Sequence, residues 1–189
     1  MPGMAKTRLI QALGAQGAAD LARRMLAHTV VQALAAKVGP VELCASPSQK
    51  EPIWQFLPLP TMITWSEQGE GNLGVRLMRA TQRVTDAGES VLLIGTDCPA
   101  LDAAHLRRSA DSLRQTDATM VPTVDGGYAL LGLNQCHSSL FEDIEWSTDT
   151  VAFETLHRME QLGWKVQNNP MLHDIDRPAD LRWLPQAWL

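Results

Sequence analysis

The stretch SVLLIGTD, residues 90–97, is the tightest constraint on what this chain can fold into. Four consecutive aliphatic residues, Val91, Leu92, Leu93 and Ile94, stand between polar ends. A strand of that composition has both faces buried, as in a parallel sheet covered by helices. The pattern marks it as a central strand, with Asp97 emerging at its carboxyl end.

Helical and strand periodicities alternate on either side of it. Leu21, Met25 and Ala33 recur at helical spacing within 17–38, and Gly39-Pro40 breaks the run. VELCAS (41–46) reads as a strand, 47–60 as a helix followed by a Pro-punctuated loop, and MITW (62–65) as a second strand. Leu73, Leu77, Ala80 and Val84 form one face of a helix that ends near Gly88. A helix over 101–115 with Asp102 as its N-cap follows, then strands at 118–124 and 128–133 around Asp125-Gly126-Gly127. A helix over 148–163, a strand at 165–169 and a short helix after Asp176 complete the pattern. The expected architecture is a single α/β domain spanning residues 1–189, with a mainly parallel sheet flanked by helices.

Composition excludes several classes. The net charge of −5 argues against a broad nucleic-acid-binding face, which needs clustered Lys and Arg. Cys44, Cys98 and Cys136 are far apart and form no C-x-x-C pair, so neither a zinc site nor a disulfide framework is expected. Apolar runs are shorter than the ~20 residues of a membrane span. A soluble cytoplasmic protein is the expectation.

Ligands of open α/β sheets bind beyond the carboxyl ends of the strands, which singles out three turns. Asp97 in GTDCPAL could hold Mg²⁺ or Mn²⁺, hard ions that take one or two protein carboxylates and fill their shell with water and phosphate oxygens. It could equally cap the turn into the next helix. In VDGGYALLGL, Asp125 precedes two glycines that admit a ligand close to the backbone, and Asp-Gly is also a common hairpin turn. In HDIDRPADL, Asp174 and Asp176 project to one face if the segment is extended, and Asp176 could instead be an N-cap ahead of Pro178. Lys6 and Arg8, flanking Thr7 before the first helix, suit a diphosphate, with a frayed terminus as the alternative. EGNLGVRL and WSTDTV add a Gly-bracketed helix entry bearing Arg76 and a loop bearing Trp146. Each also reads as ordinary structure.

In order, PGMAKTRL, GNLGVRL, LLIGTDCPAL, VPTVDGGYALLGL, WSTDTV and DIDRPADL resemble the bacterial radical-SAM/selenodomain-associated transferase 1 family, a glycosyltransferase-A-like group of the nucleotide-diphospho-sugar transferase superfamily. The set is similar, more distantly, to molybdenum-cofactor and 2-phospholactate guanylyltransferases. The resemblance implies a Rossmann-like sheet, a nucleotide-activated small-molecule donor whose phosphates meet Lys6 and Arg8, and a divalent metal on Asp97 and Asp176. It further implies nucleotide or substrate loops at Asn72, Gly74, Gly126 and Gly127, with Asp125 lining the acceptor side; in a glycosyl transfer Asp125 is the candidate catalytic base toward an acceptor of unknown identity. Asn72 stands where the family commonly has an acidic residue. The family's first strand, central in its sheet, is missing ahead of Lys6. The expectation is that Met1 is an internal methionine of a longer natural chain, or that the sheet has a vacancy closed by rearrangement or by a partner strand such as a second copy. Metal-dependent transfer from a nucleotide-diphospho-sugar is the leading functional expectation; nucleotidyl transfer and non-catalytic nucleotide binding are the alternatives.

Overall fold

The computed structural model describes residues 2–188; Met1, the suspected internal methionine, and Leu189 lie outside the described residues. Four helices and six strands alternate: α1 (Ile10–Ala36), β1 (Glu42–Ala45), β2 (Thr64–Glu67), α2 (Leu73–Thr85), β3 (Val91–Ile94), α3 (Ala103–Ser112), β4 (Ala118–Pro122), β5 (Tyr128–Leu133), α4 (Val151–Gln161) and β6 (Val166–Asn168). This is the expected α/β class, with helices on both faces of the sheet. Pro52–Phe56, within the segment predicted as a helix followed by a loop, and Pro178–Trp183, where a short helix after Asp176 is predicted, are both 3₁₀ turns. Among the described residues no helix is long and apolar enough to cross a membrane.

The strands fall into two groups. β1 and β2 pair in parallel, while the other four run in the order β3-β5-β4-β6, with β4 and β6 parallel and β5 antiparallel to both neighbours. β5 runs against its neighbours because the five-residue turn at 123–127 returns the chain directly beside β4. The strand buried on both faces is therefore β4, where all five residues are buried. β3 differs from the expectation of a central strand. It is the edge of its sheet and its four aliphatic residues are only half-buried, because among the described residues no strand pairs with its second side.

Two apolar layers sandwich this sheet. Ala33 and Ala36 of α1 and Leu106 of α3 pack with Val121 and Leu130, with Val41, Leu92 and Ile94 at the margin. On the opposite face Met159 of α4 and Leu140 pack with Met120, Leu131 and Leu133, joined by Leu77, Val91 and Leu93. Each fully buried Leu here contributes roughly 2 kcal/mol. A third cluster, Leu9, Leu21, Met25 and Ile175 with Leu181 and Trp188, joins the two ends of the chain.

α2 begins where the side chain of Asn72 accepts a hydrogen bond from the Val75 N–H at 3.0 Å, a cap that typically stabilises by ~1 kcal/mol. Near its other end the Arg83 guanidinium donates to both carboxylate oxygens of Glu42 on β1, at 2.7 and 2.6 Å. Those bonds hold the Glu42 carboxyl below the usual glutamate range, against partial burial that pushes it up. A depressed carboxyl stabilises the fold above its unfolded pKa, and that stability is lost as pH falls through the folded value. Glu42→Gln is therefore expected to lower Tm at neutral pH, with the deficit closing as pH drops below about 4. Melting curves of both proteins between pH 3 and pH 7 check this, and a deficit independent of pH would contradict it.

Candidate active site

The sequence places Lys6 in an unusual backbone state, left-handed with φ 49°, at the start of the 3₁₀ turn Thr7–Leu9. That conformation costs a non-glycine residue roughly 1–2 kcal/mol, and such residues cluster at functional sites. Here it aims the side chain inward. The Lys6 ammonium lies 3.1 Å from Asp97 and 3.5 Å from Asp176, with the lysine side chain only 7% exposed. Arg8 forms an ion pair with the other oxygen of Asp176. The four residues, with Ala5, Thr7 and Ala22, line an open cleft of about 410 Å³.

The local structure decides both alternatives left open for the two aspartates. α3 is capped by Asp102, whose carboxylate accepts from the N–H groups of Ala104 and His105, so Asp97 is not needed as a cap. The N-cap of the Pro178–Trp183 turn is Arg177, and Asp180 accepts from the backbone N–H groups of Asp176 and Arg177. That leaves the Asp176 carboxylate for Lys6 and Arg8. The Ile175 N–H also donates to the carbonyl of Asp97 at 2.8 Å, which staples the C-terminal loop to the end of β3.

The Asp125-Gly126-Gly127 turn is both a hairpin and part of this neighbourhood. One Asp125 oxygen accepts from the Thr123 hydroxyl at 2.6 Å and from the Gly127 N–H at 3.1 Å, closing an Asx turn. Thr123 bridges to Leu172 in the approaching C-terminal loop, which carries Asp174 toward Asp125. Burial pushes the Asp174 carboxyl up, and the negative charge of Asp125 pushes it further, partly countered by Lys6. Thus Asp97, Asp125, Asp174 and Asp176 gather at one end of the sheet, from three loops. The sequence signals Asp174 only through the HDID spacing that sets it beside Asp176.

The remaining sequence candidates have structural tasks outside the cleft lining. Asn72 caps α2, and Gly74 lies against the Phe141 carbonyl and the Trp146 indole, leaving no room for a side chain. Arg76 is held by the Gly71 carbonyl and Gln68. Trp146 joins the core beneath α2, and its indole N–H and the Tyr128 hydroxyl are buried without partners. All three cysteines are free thiols, and burial pushes Cys98, next to Asp97, up to about 11.

The groups of the cleft able to ligate a metal are the Asp97 and Asp176 carboxylates, oxygen donors of the kind a hard divalent ion takes, beside the cationic Lys6 and Arg8. Among the described residues no three His, Cys, Asp or Glu side chains cluster to hold a metal by themselves. Asp97 and Asp176 therefore fit an ion that shares its shell with ligand phosphates rather than one caged by protein.

A helix-covered sheet with this acid-and-lysine cleft at its strand ends has the fold of the nucleotide-diphospho-sugar transferases. A crystal structure from Desulfovibrio desulfuricans G20, described as a "putative nucleotide-diphospho-sugar transferase", aligns with a TM-score of 0.89 and 28% identity, covering 99% of this chain and 82% of that one. The chain belongs to the family described as "uncharacterized protein conserved in bacteria" (DUF2064), whose profile matches residues 29–148. No curated protein matches the sequence.

Proposed function

We propose that this protein is a transferase that takes its donor as a nucleotide-diphospho-sugar, of the kind suggested by the resemblance to the radical-SAM/selenodomain-associated transferase 1 family. The buried Lys6 ammonium set between Asp97 and Asp176 carries this reading. Lys6 and Arg8 bind the donor diphosphate and offset the negative charge that grows on it as it leaves, an electrostatic contribution that is usually the largest in such sites. Asp97 and Asp176 are the residues to hold Mg²⁺ or Mn²⁺, which when bound supplies further charge stabilisation on the phosphates. Asp125, with one oxygen fixed by Thr123 and Gly127, is oriented to take a proton from an acceptor hydroxyl through the other.

A thermal-shift panel of sugar nucleotides and NTPs, each with and without Mn²⁺, tests this. A sugar nucleotide at a hundred times its Kd is expected to stabilise by ~2.7 kcal/mol, with the shift dependent on metal and absent in Asp97→Asn. Stabilisation by NTP alone, accompanied by pyrophosphate release, would establish nucleotidyl transfer instead. No response to any nucleotide would remove the reading.

A further inference from the structure

Lys6 is the least accessible of the four charged groups in the cleft. Its side chain is 7% exposed, against 59% for Arg8, 55% for Asp97 and 31% for Asp176. A phosphate arriving from solvent therefore reaches Arg8 first, and the Lys6 ammonium must leave its carboxylates to meet it. The frame around this lysine is fixed. The Leu9 N–H donates to the Lys6 carbonyl at 2.8 Å, and Leu9 is fully buried. Ile175, also fully buried, donates its N–H to the Asp97 carbonyl and adjoins Asp176, so the backbone is pinned beside both carboxylates. The Lys6 side chain can exchange partners on this frame by its own torsions.

The charges of the cleft say what such an exchange requires. Two cations, Lys6 and Arg8, meet two carboxylates, and Asp176 is shared between both cations. A divalent ion held by Asp97 and Asp176 alone takes the partners of Lys6 and Arg8 and leaves like charges side by side. A doubly negative diphosphate held by Lys6 and Arg8 alone strips both carboxylates and sets them near phosphate oxygens, which is again a repulsion. When ion and diphosphate arrive together, each carboxylate and each cation of the cleft loses one partner and gains another of the same sign. No charge is left unmatched, and loss of a partner is the costly outcome for a group as buried as the Lys6 ammonium.

We propose that Lys6 is a resident cation between Asp97 and Asp176, which it yields to the divalent ion as it transfers to the donor diphosphate, so that ion and donor bind as a coupled pair and each binds weakly alone. This inference rests on the reading of the cleft as a donor and metal site. It assigns Lys6 two positions, one on the carboxylates and one on the phosphates.

Amine labelling with a limiting dose of acetic anhydride, read by mass spectrometry, follows the lysine directly, with the exposed Lys37, Lys50 and Lys165 as internal standards. Lys6 is expected to react more slowly than all three in the free protein, to speed up in millimolar Mn²⁺ alone, and to be protected again when UDP-glucose or GDP-mannose is added with Mn²⁺. Calorimetric titrations of the same protein measure the coupling. A saturating sugar nucleotide is expected to tighten Mn²⁺ binding about tenfold or more, and Mn²⁺ to tighten the sugar nucleotide by the same factor, after subtraction of complex formation in protein-free buffer. Mn²⁺ binding that leaves Lys6 labelling unchanged overturns the displacement, and metal and donor binding independently of one another overturns the coupling; either result leaves the proposed donor class standing. Absence of binding by Mn²⁺ and by every sugar nucleotide removes that class and this inference together.

Discussion

Lys6→Met is expected to abolish stabilisation by sugar nucleotides while raising the affinity for Mn²⁺ alone about tenfold. In the native protein the ammonium lies between two carboxylates and offsets part of their charge, with Arg8 also on Asp176. Methionine keeps the length and apolar stem but removes the charge, so Asp97 and Asp176 face one another as like charges, and a divalent ion relieves that repulsion. The lost diphosphate contact acts in the opposite direction on the donor. Because the Asp97 side chain is 55% exposed, solvent screening keeps the stability loss near ~1 kcal/mol without metal, and saturating Mn²⁺ is expected to restore it. Calorimetric titration with Mn²⁺, together with melting curves in UDP- and GDP-sugars, measures both effects. A variant that still responds to sugar nucleotides removes Lys6 from the phosphate role, and unchanged Mn²⁺ affinity removes the carboxylate pair from the metal role.

The largest loss of stability is expected at Gly126. Its φ of +92° lies in the left-handed region, and a methyl group there would overlap the backbone of Asp149 at its carbonyl. The Gly126 carbonyl also accepts the Ala152 N–H at 2.8 Å, so this turn is the seat on which α4 begins. Alanine must either overlap or push α4 away, and backbone strain plus overpacking comes to about 3 kcal/mol or more. For a chain of this size that lowers Tm by roughly 10 °C. Gly163→Ala is the control: its φ of +72° is also positive, but no atom lies within 4 Å of the added carbon, and about 1 kcal/mol is expected. Melting curves of the two variants separate overlap from strain, and equal losses would contradict the close approach to Asp149.

The same turn illustrates what the sequence could and could not say. Asp-Gly-Gly announced a hairpin and a close approach, and both are present, but the element that approaches is the start of α4. The carboxylates of Asp97 and Asp176 were legible because each follows an element end beside turn-forming residues. Their convergence was implied only by the resemblance, since nothing local reports a contact across 170 residues between Lys6 and Asp176. The four aliphatics of β3 predict a central strand buried on both faces; they do pack on both apolar layers, but each is only half-buried. Periodicity records what a strand could bury, not which neighbours it has, so it could not show that β3 stands at an edge. Asp174 escaped assignment because its shifted carboxyl depends on the nearness of Asp125, which the bridge between Thr123 and Leu172 creates. α1 also starts at Ile10, ahead of the helix predicted over 17–38, and Gly14 within it has a φ of 70° and a ψ of 166° that break the helical path.

The joining of the two chain ends has a consequence in time. Lys6 leaves the ribosome early, and Asp176 follows 170 residues later, which at ordinary rates of synthesis is a delay of roughly 10–35 s. Throughout that interval the lysine has no Asp176, and the cluster of Leu9 and Met25 lacks Ile175 and Trp188. Arg24, which donates to the Trp188 carbonyl and stands over its ring at 4.7 Å, has nothing to close on. A product released before residue 176 can assemble the strands and helices encoded ahead of it, yet it cannot complete the cleft around Lys6. The closing clasp thus ties competence to the finished chain.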